Sequence, residues 1–562
     1  NYAQALKHGH KQIYQALPRM LTLWFDYGTE ITKLGATVSK RQHEVGKALN
    51  STIEKALTTS PTYQWYTALP QLTSRICHPN REVVRILHKI LVRVVSDLPQ
   101  QALWTMAAVL RSTLPARQKQ AAEVVAVAKR TAPQGFRDLA AQFQPLVDQL
   151  IKLCFAQPNM DERNRVRPFS VKSDFASLRR MMPVQVMVPV QSLLTASLPA
   201  DGRTQPDHKP FDREAQVTVN GLVDEVEVMA SLQRPKKLGF VGSDGNQYVF
   251  LAKPKDDLRK DTRMMEFNGL LNRIFAKSPA SRRRNLYIRT FAVIPLTEEC
   301  GLVQWVPKTR GLRHVLQDLY EASGHFVRRG PQSTHARIKG VYDKTQNPLE
   351  RMDQVLRTMP PVFHRWFLQK FPEPAAWVRS RTAFARTAGV WSMVGHIVGL
   401  GDRHGENILL DATNGDCVHV DFSCLFDKGL DLECPECVPF RCTQNMVDGL
   451  GVAGTEGVFV SVCEIVLDIL RSNRETLMTV LETFVHDPLL EWTQKKPHQP
   501  DPETFSRRAL EKIRGRLEGR LIGVGSIPSM ELAPRGQAYR LVEEATSWDK
   551  LGRMYIWWMP WF

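Results

Sequence analysis

Residues 399–428 read GLGDRHGENILLDATNGDCVHVDFSCLFDK. Two apolar runs in this segment, Ile408–Leu410 and Val418–Val420, are typical of short β-strands, and the Asn-Gly pair between them is typical of a tight turn. The pattern therefore predicts a β-hairpin. Because the second strand runs back along the first, the hairpin brings Asp421 beside Asn407.

The residue types in this segment predict phosphoryl transfer. Asp402 and Asn407 are separated by four residues, as are the catalytic Asp and the metal-binding Asn of protein kinases. Asn407 and Asp421 supply hard oxygen ligands, which suit Mg²⁺ bound to nucleotide phosphates. Asp402 is left to accept the substrate proton, and His404 is placed to stabilise charge on the phosphoryl group. The alternative, that these are turn and cap residues of an acidic loop, does not account for their coordinated spacing.

A cation for the nucleotide phosphates is predicted upstream. Lys253 follows directly after the strand-like run Tyr248–Ala252, and Asp261 lies eight residues further on, where a helix is predicted to begin. Phosphoryl transfer needs such a cation at the α and β phosphates. We therefore expect Lys253 to bind phosphate and Asp261 to orient the lysine.

The composition is that of a globular protein of several domains. Hydrophobic residues make up 43% of the 562 residues, with 33 Gly and 35 Pro, which excludes collagen-like, coiled-coil and disordered classes. No run of 18 apolar residues occurs, so we expect a soluble chain without a membrane association. We also expect the chain to be a fragment of a longer protein. Nine scattered Cys indicate a reducing compartment without disulfides.

The net charge of +18 is distributed unevenly. Residues 401–450 carry 10 acidic and 3 basic side chains, a local excess that a divalent cation partly neutralises. Residues 1–200 carry an excess of 14 positive charges. This excess could mark a DNA-facing surface, but the lack of interleaved aromatic residues argues against direct DNA binding.

The chain is organised as helices, then a small sheet, then a larger helical part. Residues 1–165 repeat apolar positions at helical spacing, and the many prolines of residues 166–212 predict an extended boundary segment. Predicted strands are Gln216–Val219, Glu225–Met229, Lys237–Val241, Gln247–Leu251, Tyr287–Pro295 and Gly301–Val306. Arg259–Phe275 and much of residues 312–400 are predicted helices.

Several segments together resemble the phosphatidylinositol 3-kinase-related protein kinases. GDRHGEN (401–407) has the inverted order of this family, and VDFS (420–423) occupies its metal-binding position. Further similar segments are IYQALPRMLTLWFDYG (13–28), LQRPKKL (232–238), KPKDDLRKD (253–261), SRRRNLYIRTFAVIPL (281–296), VPFRCTQNM (438–446), GTEGVF (454–459) and MYIWWMPWF (554–562). HVDFSCLFDKG (419–429) is most similar to the ATR-type branch.

The resemblance implies an α+β chain with a bilobal protein or lipid kinase-like domain between two helical parts. The implied divisions are the end of a FAT helical-repeat domain (1–165), the kinase N-lobe (166–306), the kinase C-lobe (307–530) and a FATC tail (531–562). The activation loop is expected to extend from Asp421 to about Gln444.

The resemblance also implies an ATP pocket. Ser231 and Lys253 are expected at the phosphates, with Asp261 supporting Lys253, and Trp305 and Val306 at the hinge against adenine. The implied apolar walls are Leu251, Leu409 and Val420. Phe291 replaces a Tyr of several relatives, and Ser423 replaces the Gly of the DFG motif.

The implied activity is ATP- and Mg²⁺- or Mn²⁺-dependent phosphorylation of Ser or Thr followed by Gln, in DNA-damage and replication-stress signalling in the nucleus. The implied partners are protein substrates, activator proteins and an ATRIP-type regulatory subunit bound by helical repeats upstream of this chain, in a dimer of heterodimers that contacts DNA mainly indirectly. The alternatives are the ATM-type or target-of-rapamycin-type branch, a lipid kinase and a scaffold pseudokinase.

Four further features have competing interpretations. Cys434 and Cys437 form half of a zinc site, for which a second half is missing. Arg282–Arg284 is expected to cap a helix or to lie on a solvated lobe surface, rather than to bind nucleic acid or lipid. The Trp-rich end of the chain is expected to pack on the kinase rather than on a membrane. Residues 321–358 are expected to form a mobile loop.

Overall fold

The computed structural model describes residues 1–158, 160, 166–212, 214–330, 332–487, 502–521 and 531–562. The chain forms two compact units. The first unit consists of Asn1–Glu266, Thr290–Trp305 and Thr479–Pro502, and the second of Phe267–Arg289, Val306–Met478 and Glu503–Phe562. Each unit combines α-helices with an antiparallel sheet, which confirms the predicted α+β class.

The first 155 residues of the first unit are mainly helical. The helices are α1 (Tyr2–His8), α2 (Ile13–Leu34), α3 (Lys40–Thr59), α4 (Thr62–Tyr66), α5 (Leu69–Ser74), α6 (Arg81–Asp97), α7 (Pro99–Leu110), α8 (Pro115–Thr131) and α9 (Gln134–Phe155). The side chain of Asn80 accepts hydrogen bonds from the N–H groups of Glu82 and Val83 and so caps α6. Pro99 and Pro115 begin α7 and α8, where a missing N–H costs nothing.

The predicted boundary segment, residues 166–212, contains little regular structure. Its short elements are β1 (Phe169–Ser170), α10 (Ala176–Arg180) and α11 (Gln191–Leu194). The segment is fixed to the helices by polar contacts, since Trp104 Nε1 donates to the Met187 carbonyl at 2.9 Å. The proline content therefore predicted the irregular backbone correctly.

A seven-stranded antiparallel sheet completes the first unit. Its other strands are β2 (Val219–Leu222), β3 (Glu225–Val228), β4 (Lys236–Gly242), β5 (Gln247–Pro254), β6 (Val293–Pro295) and β7 (Cys300–Gln304), with the order β1-β3-β4-β5-β7-β6 and β2 paired to β4. The helix α12 (Arg259–Lys277) follows β5 and extends into the second unit.

The first predicted strand begins too early. Gln216–Val219 was the expected range, whereas β2 begins at Val219. The reason is that the N–H of Val188 donates to the carbonyl of Val217, and the N–H of Val219 donates to that of Val186. This stretch therefore bonds to the irregular boundary segment before the chain joins the sheet.

One apolar core joins the helices and the sheet of the first unit. It includes Trp24 of α2, Leu87 of α6 and Phe143 of α9 together with Phe240 and Phe250 of the two central strands, all of them buried. The helices and the sheet therefore share one core. Deleting either of them would expose buried apolar surface of the other.

The second unit is mainly helical. Its helices are the end of α12, α13 (Pro279–Arg284), α14 (Leu312–Ala322), α15 (Thr334–Lys344), α16 (Pro348–Thr358), α17 (His364–Lys370), α18 (Pro374–Val398), α19 (Gln444–Leu450), α20 (Val458–Ser472), the start of α21 (Arg474–Val485), α22 (Pro502–Leu517), α23 (Pro534–Thr546) and α24 (Trp548–Arg553); α21 belongs to the first unit from Thr479 onwards. The strands β8 (Thr309–Gly311), β9 (Ile408–Asp411) and β10 (Cys417–His419) form a sheet in the order β10-β9-β8.

Most of the strand predicted over Tyr287–Pro295 is absent, because only Val293–Pro295 is a strand. The N–H of Ile288 donates to the side chain of Asn272 at 2.7 Å instead of to a neighbouring strand. Arg289 forms an ion pair with Asp411. A side chain therefore satisfies the N–H of Ile288, a main-chain group that a sheet was expected to satisfy.

The expectation of a mobile loop over residues 321–358 is wrong from Thr334 onwards. This part forms α15 and α16, and the side chain of Asn347 caps α16 through the N–H of Leu349. Met352 of α16 is buried in a small apolar cluster with Leu551, Met554 and Trp558. Burial of this apolar face holds the helix against the C-terminal segment.

The C-terminal segment packs on the second unit, as predicted. Trp558, Trp561 and Phe562 are buried, whereas Trp557 is 49% exposed and stacks on His335 at a centroid distance of 4.3 Å. Within the part of the chain that the structure describes, no helix has both the length and the apolar character needed to cross a membrane.

Candidate active site

The predicted site residues are divided between the two units. The first unit contains Ser231, Leu251, Lys253, Asp261, Phe291 and Trp305, and the second contains Val306, Asp402, His404, Asn407, Leu409, Val420 and Asp421.

The predicted hairpin is confirmed, and it brings Asn407 and Asp421 to neighbouring strand ends. In the register of β9 and β10, Ile408 pairs with His419. The N–H of Val420 then donates to the carbonyl of Asn407 at 3.0 Å, which continues the pairing by one step. Asp421 follows immediately, so the two predicted metal ligands lie side by side in the backbone.

The side chain of Asn407 is oriented by the catalytic loop. Its Nδ2 donates to the carbonyl of Asp402 at 2.8 Å, and the side chain is buried. Because the amide nitrogen is engaged as a donor, Oδ1 is the atom that can serve as a ligand. Asp421 has a φ of 62°, and its Oδ1 accepts the N–H of Ser423 at 3.2 Å.

This pair fits a magnesium ion that is bound together with a nucleotide. One amide and one carboxylate oxygen are a small set, but Mg²⁺ in nucleotide sites takes most of its remaining ligands from phosphates and water. No group of three or more His, Cys, Asp or Glu side chains that could hold a metal occurs among the described residues. The oxygens of Asn407 and Asp421 therefore suit a Mg²⁺ ion that takes its other ligands from a phosphate substrate. They do not suit a metal site that is built of protein ligands alone.

Asp402 and His404 are adjacent and partly buried. His404 Nε2 lies 4.0 Å from Asp402 Oδ2. Burial raises the pKa of Asp402, with the nearby charges of His404 and Arg403 acting in the opposite direction. Burial also lowers the pKa of His404. Both groups are therefore shifted towards their neutral forms, as is common where side chains exchange protons with a substrate.

Arg403, between these two residues, connects the catalytic loop to the metal-binding segment. Its guanidinium group donates to the carbonyls of Gly401 at 2.9 Å and Val420 at 2.8 Å, and also to the carbonyl of Asp421. No role was predicted for Arg403 from the sequence. Its position could have indicated a role, because Arg403 lies between two predicted catalytic residues. A buried Arg at such a position needs several hydrogen-bond acceptors nearby.

Lys253 lies in β5, and its ammonium group contacts an acid that the sequence analysis did not select. Lys253 Nζ forms an ion pair with Asp256 at 3.0 Å. The predicted partner, Asp261, is buried in the first turn of α12. Lys253 therefore has a carboxylate partner in Asp256, and the role of Asp261 in orienting Lys253 stays a prediction.

The other predicted pocket residues occupy strands and their ends. In the first unit, Leu251 is half-buried and pairs with Val303, Phe291 is buried, and the ammonium of Lys237 lies 5.0 Å from the ring centroid of Trp305. Ser231 is exposed in the turn between β3 and β4. In the second unit, Val306 is buried, while Leu409 of β9 and Val420 beyond β10 are half-buried.

Arg282–Arg284, which we expected to cap a helix, lies in α13. Arg282 Nη1 donates to the carbonyls of Ala276 and Lys277, at 3.0 and 2.9 Å, in the last turn of α12. The capping interpretation is confirmed for Arg282. Cys434 and Cys437, for which half of a zinc site was the alternative, contact main-chain carbonyls. Cys434 Sγ donates to the carbonyl of Arg553 at 3.3 Å, and Cys437 Sγ donates to the carbonyl of Lys550 at 3.1 Å.

Three protein families match parts of the chain. The family described as phosphatidylinositol 3- and 4-kinase matches residues 247–494, and the FATC domain matches residues 531–562. The family described as serine/threonine-protein kinase ATR-like, HEAT repeats, matches residues 48–147.

Individual proteins are similar over the whole chain. Serine/threonine-protein kinase ATR of Oryza sativa subsp. indica is 53% identical over 575 residues, which cover 100% of this chain and 21% of the relative. Protein kinase rad3 of Schizosaccharomyces pombe (strain 972 / ATCC 24843) is 39% identical over 582 residues, covering 100% of this chain and 24% of the relative. A solved structure described as the FAT and kinase domain of CtTel1 matches with a TM-score of 0.84 and 26% identity, covering 100% of this chain and 37% of that chain.

The fold and these similarities together indicate the class of protein. The chain contains a region that matches the phosphatidylinositol 3- and 4-kinase family and a region that matches the FATC domain, and over its whole length it is similar to serine/threonine-protein kinases of the ATR type. It spans about a fifth to a quarter of the length of the curated relatives described above.

Proposed function

We propose that this chain is the catalytic part of an ATP-dependent serine/threonine protein kinase. The observation that carries the proposal is the joint placement of Asp402, Asn407 and Asp421. One hairpin sets the two oxygen ligands side by side, and a hydrogen bond of 2.8 Å ties Asn407 to the main chain of Asp402. A proton acceptor is thereby held close to a divalent cation site, as phosphoryl transfer requires.

The residues of the chain divide the reaction between them. When bound, the divalent cation neutralises charge on the nucleotide phosphates. Asn407 and Asp421 hold that cation, and Lys253 binds phosphate. Asp402 accepts the proton of the attacking hydroxyl group, and His404, next to it, stabilises negative charge on the transferred phosphoryl group.

The finer assignments are part of this proposal and rest on the resemblance to ATR-type kinases. They are a preference for Ser or Thr followed by Gln, use of Mg²⁺ or Mn²⁺, checkpoint signalling in the nucleus and assembly into a dimer with an ATRIP-type subunit. The proposal also keeps the division into FAT (1–165), N-lobe (166–306), C-lobe (307–530) and FATC (531–562). Ser231, Leu251, Asp261, Phe291, Trp305, Val306, Leu409 and Val420 are proposed to complete the ATP pocket.

The test is a phosphotransfer assay with labelled ATP on matched peptides that carry Ser-Gln or Ser-Ala. We expect transfer that depends on Gln in the parent chain and falls to background in Asp402→Ala, with nucleotide binding retained. Transfer that persists in Asp402→Ala would contradict the catalytic assignment. Transfer without regard to Gln would favour the target-of-rapamycin branch, and transfer to phosphoinositide but not to peptide would favour a lipid kinase.

A further inference from the structure

A carboxylate from the predicted activation loop contacts the main chain of the proposed catalytic base. The N–H of Asp402 donates to both oxygens of Glu436, each at 3.0 Å. Glu436 lies 34 residues further along the chain. A hydrogen bond to a charged acceptor is stronger than one between neutral groups, so this contact fixes the amide firmly.

The backbone around Glu436 leaves room for this carboxylate and for little else. A Cβ atom at Gly401 would lie 2.5 Å from Glu436 Oε2, and one at Gly429 would lie 2.3 Å from the same atom. The N–H of Glu436 itself donates to the carbonyl of Gly429 at 3.0 Å. The Glu436 carboxylate therefore packs directly against two glycines. Any larger residue at position 401 or 429 would displace this carboxylate.

Asp402 needs such support because of its backbone conformation. Its φ is 56°, in the left-handed region, which is unfavourable for a residue that has a Cβ atom. Its N–H is bound by Glu436 and its carbonyl accepts the amide of Asn407 at 2.8 Å. The peptide groups on both sides of the Asp402 Cα are thus held, and the direction of its side chain follows from them.

Two arginines and the side chain of Trp558 also lie around Glu436. Arg403 and Arg441 both lie close enough to act electrostatically on the neighbouring carboxylates, and Arg441 Nη1 donates to the carbonyl of Arg403 at 3.2 Å. Burial raises the pKa of Glu436, and the nearby charge of Arg403 acts in the opposite direction. The contact between the Glu436 carboxylate and the Asp402 N–H therefore lies inside the second unit rather than on an open surface.

We propose that Glu436 is a positioning residue, which holds Asp402 in its reactive conformation through the Asp402 amide. The inference rests on the proposed function, since it assigns a role relative to the proposed base. Its consequence is that the path of the activation loop controls catalysis directly. A rearrangement of the loop that withdraws Glu436 leaves the left-handed conformation of Asp402 unsupported, while the nucleotide and metal ligands stay in place.

The test compares three substitutions in the full chain. Glu436→Gln keeps an acceptor oxygen at nearly the same position, Glu436→Leu keeps the approximate size without an acceptor, and Glu433→Leu removes an exposed acid of the same loop as a control. The readouts are kcat and KM for ATP, the Kd of a non-hydrolysable ATP analogue and the melting temperature.

We expect Glu436→Leu to lower kcat by about 10- to 100-fold, because small misplacements of reacting groups have effects of this size. KM for ATP and the Kd of the analogue are expected to change by less than about twofold. Glu436→Gln is expected to keep kcat within about threefold of the parent chain, because it preserves the hydrogen bond. A merely structural role predicts instead that kcat follows the loss of melting temperature in all variants.

Gly429→Ala provides a second route if Glu436→Leu does not fold. It leaves Glu436 in place but pushes its carboxylate away, and the same selective loss of kcat is expected. A folded Glu436→Leu or Gly429→Ala chain with the parental kcat would overturn the inference while Asp402→Ala remains inactive. Activity in Asp402→Ala would instead reject the proposed function, so the two failures are distinguishable.

Discussion

Arg441 holds the end of the chain, since its Nη2 donates to the main-chain oxygen of Phe562 at 2.9 Å. The same guanidinium group donates to the carbonyls of Trp558 at 2.8 Å and Met559 at 2.7 Å, and its carbon lies 4.2 Å from the Trp558 ring centroid. Burial lowers the pKa of Arg441 to about 9. Through its contact with the carbonyl of Arg403, one side chain connects the C-terminal segment to the catalytic loop.

Arg441→Lys is expected to destabilise the second unit by about 2–4 kcal/mol, because an ammonium group cannot satisfy acceptors arranged around a planar guanidinium. The C-terminal segment is expected to become sensitive to protease at lower temperature than the rest of the chain. Thermal unfolding with limited proteolysis measures both effects. Arg357→Lys is the matched control, because Arg357 forms a solvent-exposed ion pair with Asp353. Equal stability of the two variants would show that the tail does not depend on Arg441.

Asp256→Asn is expected to weaken binding of an ATP analogue by about threefold to tenfold, because it removes a charged partner that lies 3.0 Å from Lys253 Nζ. Asp261→Asn is the matched comparison, since the sequence favoured Asp261 for this role. Calorimetric or fluorescence titration measures the affinities, with the exposed Glu225→Gln as a control. A loss of affinity in Asp261→Asn alone would show that Asp256 is not the functional partner.

Asp421→Asn is expected to raise the half-saturating Mg²⁺ concentration about tenfold and to lower kcat by at least about 100-fold, because a neutral amide replaces the charged metal ligand. Asn407→Asp keeps an oxygen ligand and is expected to need no more Mg²⁺ than the parent chain, although it loses the donor to the Asp402 carbonyl. Initial rates over a Mg²⁺ titration test both, with the exposed Asp431→Asn as a control. An unchanged Mg²⁺ requirement in Asp421→Asn would remove Asp421 from the metal site.

The parts of the site that the sequence predicted depend on short-range spacing. The hairpin, and with it the adjacency of Asn407 and Asp421, follows from two apolar runs and one turn within a few residues. The contacts of Glu436 and Arg441 with the catalytic loop are different in kind. They join residues 34 and 38 positions apart, and no local pattern records which carboxylate or guanidinium reaches which main-chain group.

The errors in the fold have a related origin. The helix α16 carries buried Met352 and Val355 at helical spacing, but the polar composition of residues 321–358 concealed that its apolar face packs against a segment about 200 residues away. In Tyr287–Pro295 the apolar residues predicted a strand, yet the side chain of Asn272 accepts the N–H of Ile288, and Arg289 pairs with Asp411. Periodicity identifies an apolar face, whereas the partner of that face is decided by tertiary packing.

His396, in the last turn of α18, is expected to make the second unit sensitive to acid. Burial lowers the pKa of His396 to about 3, with the charge of Arg516 adding to the effect and that of Asp427 opposing it. In the unfolded chain its pKa is about 6.5. Below pH 6.5 the unfolded chain takes up a proton that the folded chain does not, so stability falls as the pH falls. Between pH 6.5 and 5 the loss amounts to about 2 kcal/mol.

The measurement is the melting temperature of the parent chain and of His396→Leu between pH 7.5 and about 5. The parent chain is expected to lose stability more steeply than His396→Leu, whatever the difference between them at neutral pH, because the apolar variant has no proton to gain at this position. His314→Gln, which removes an exposed histidine of the same unit, is expected to keep the parental slope. Identical slopes in the parent chain and in His396→Leu would show that other groups cause the acid sensitivity. The reason is that leucine at position 396 cannot take up a proton when the chain unfolds.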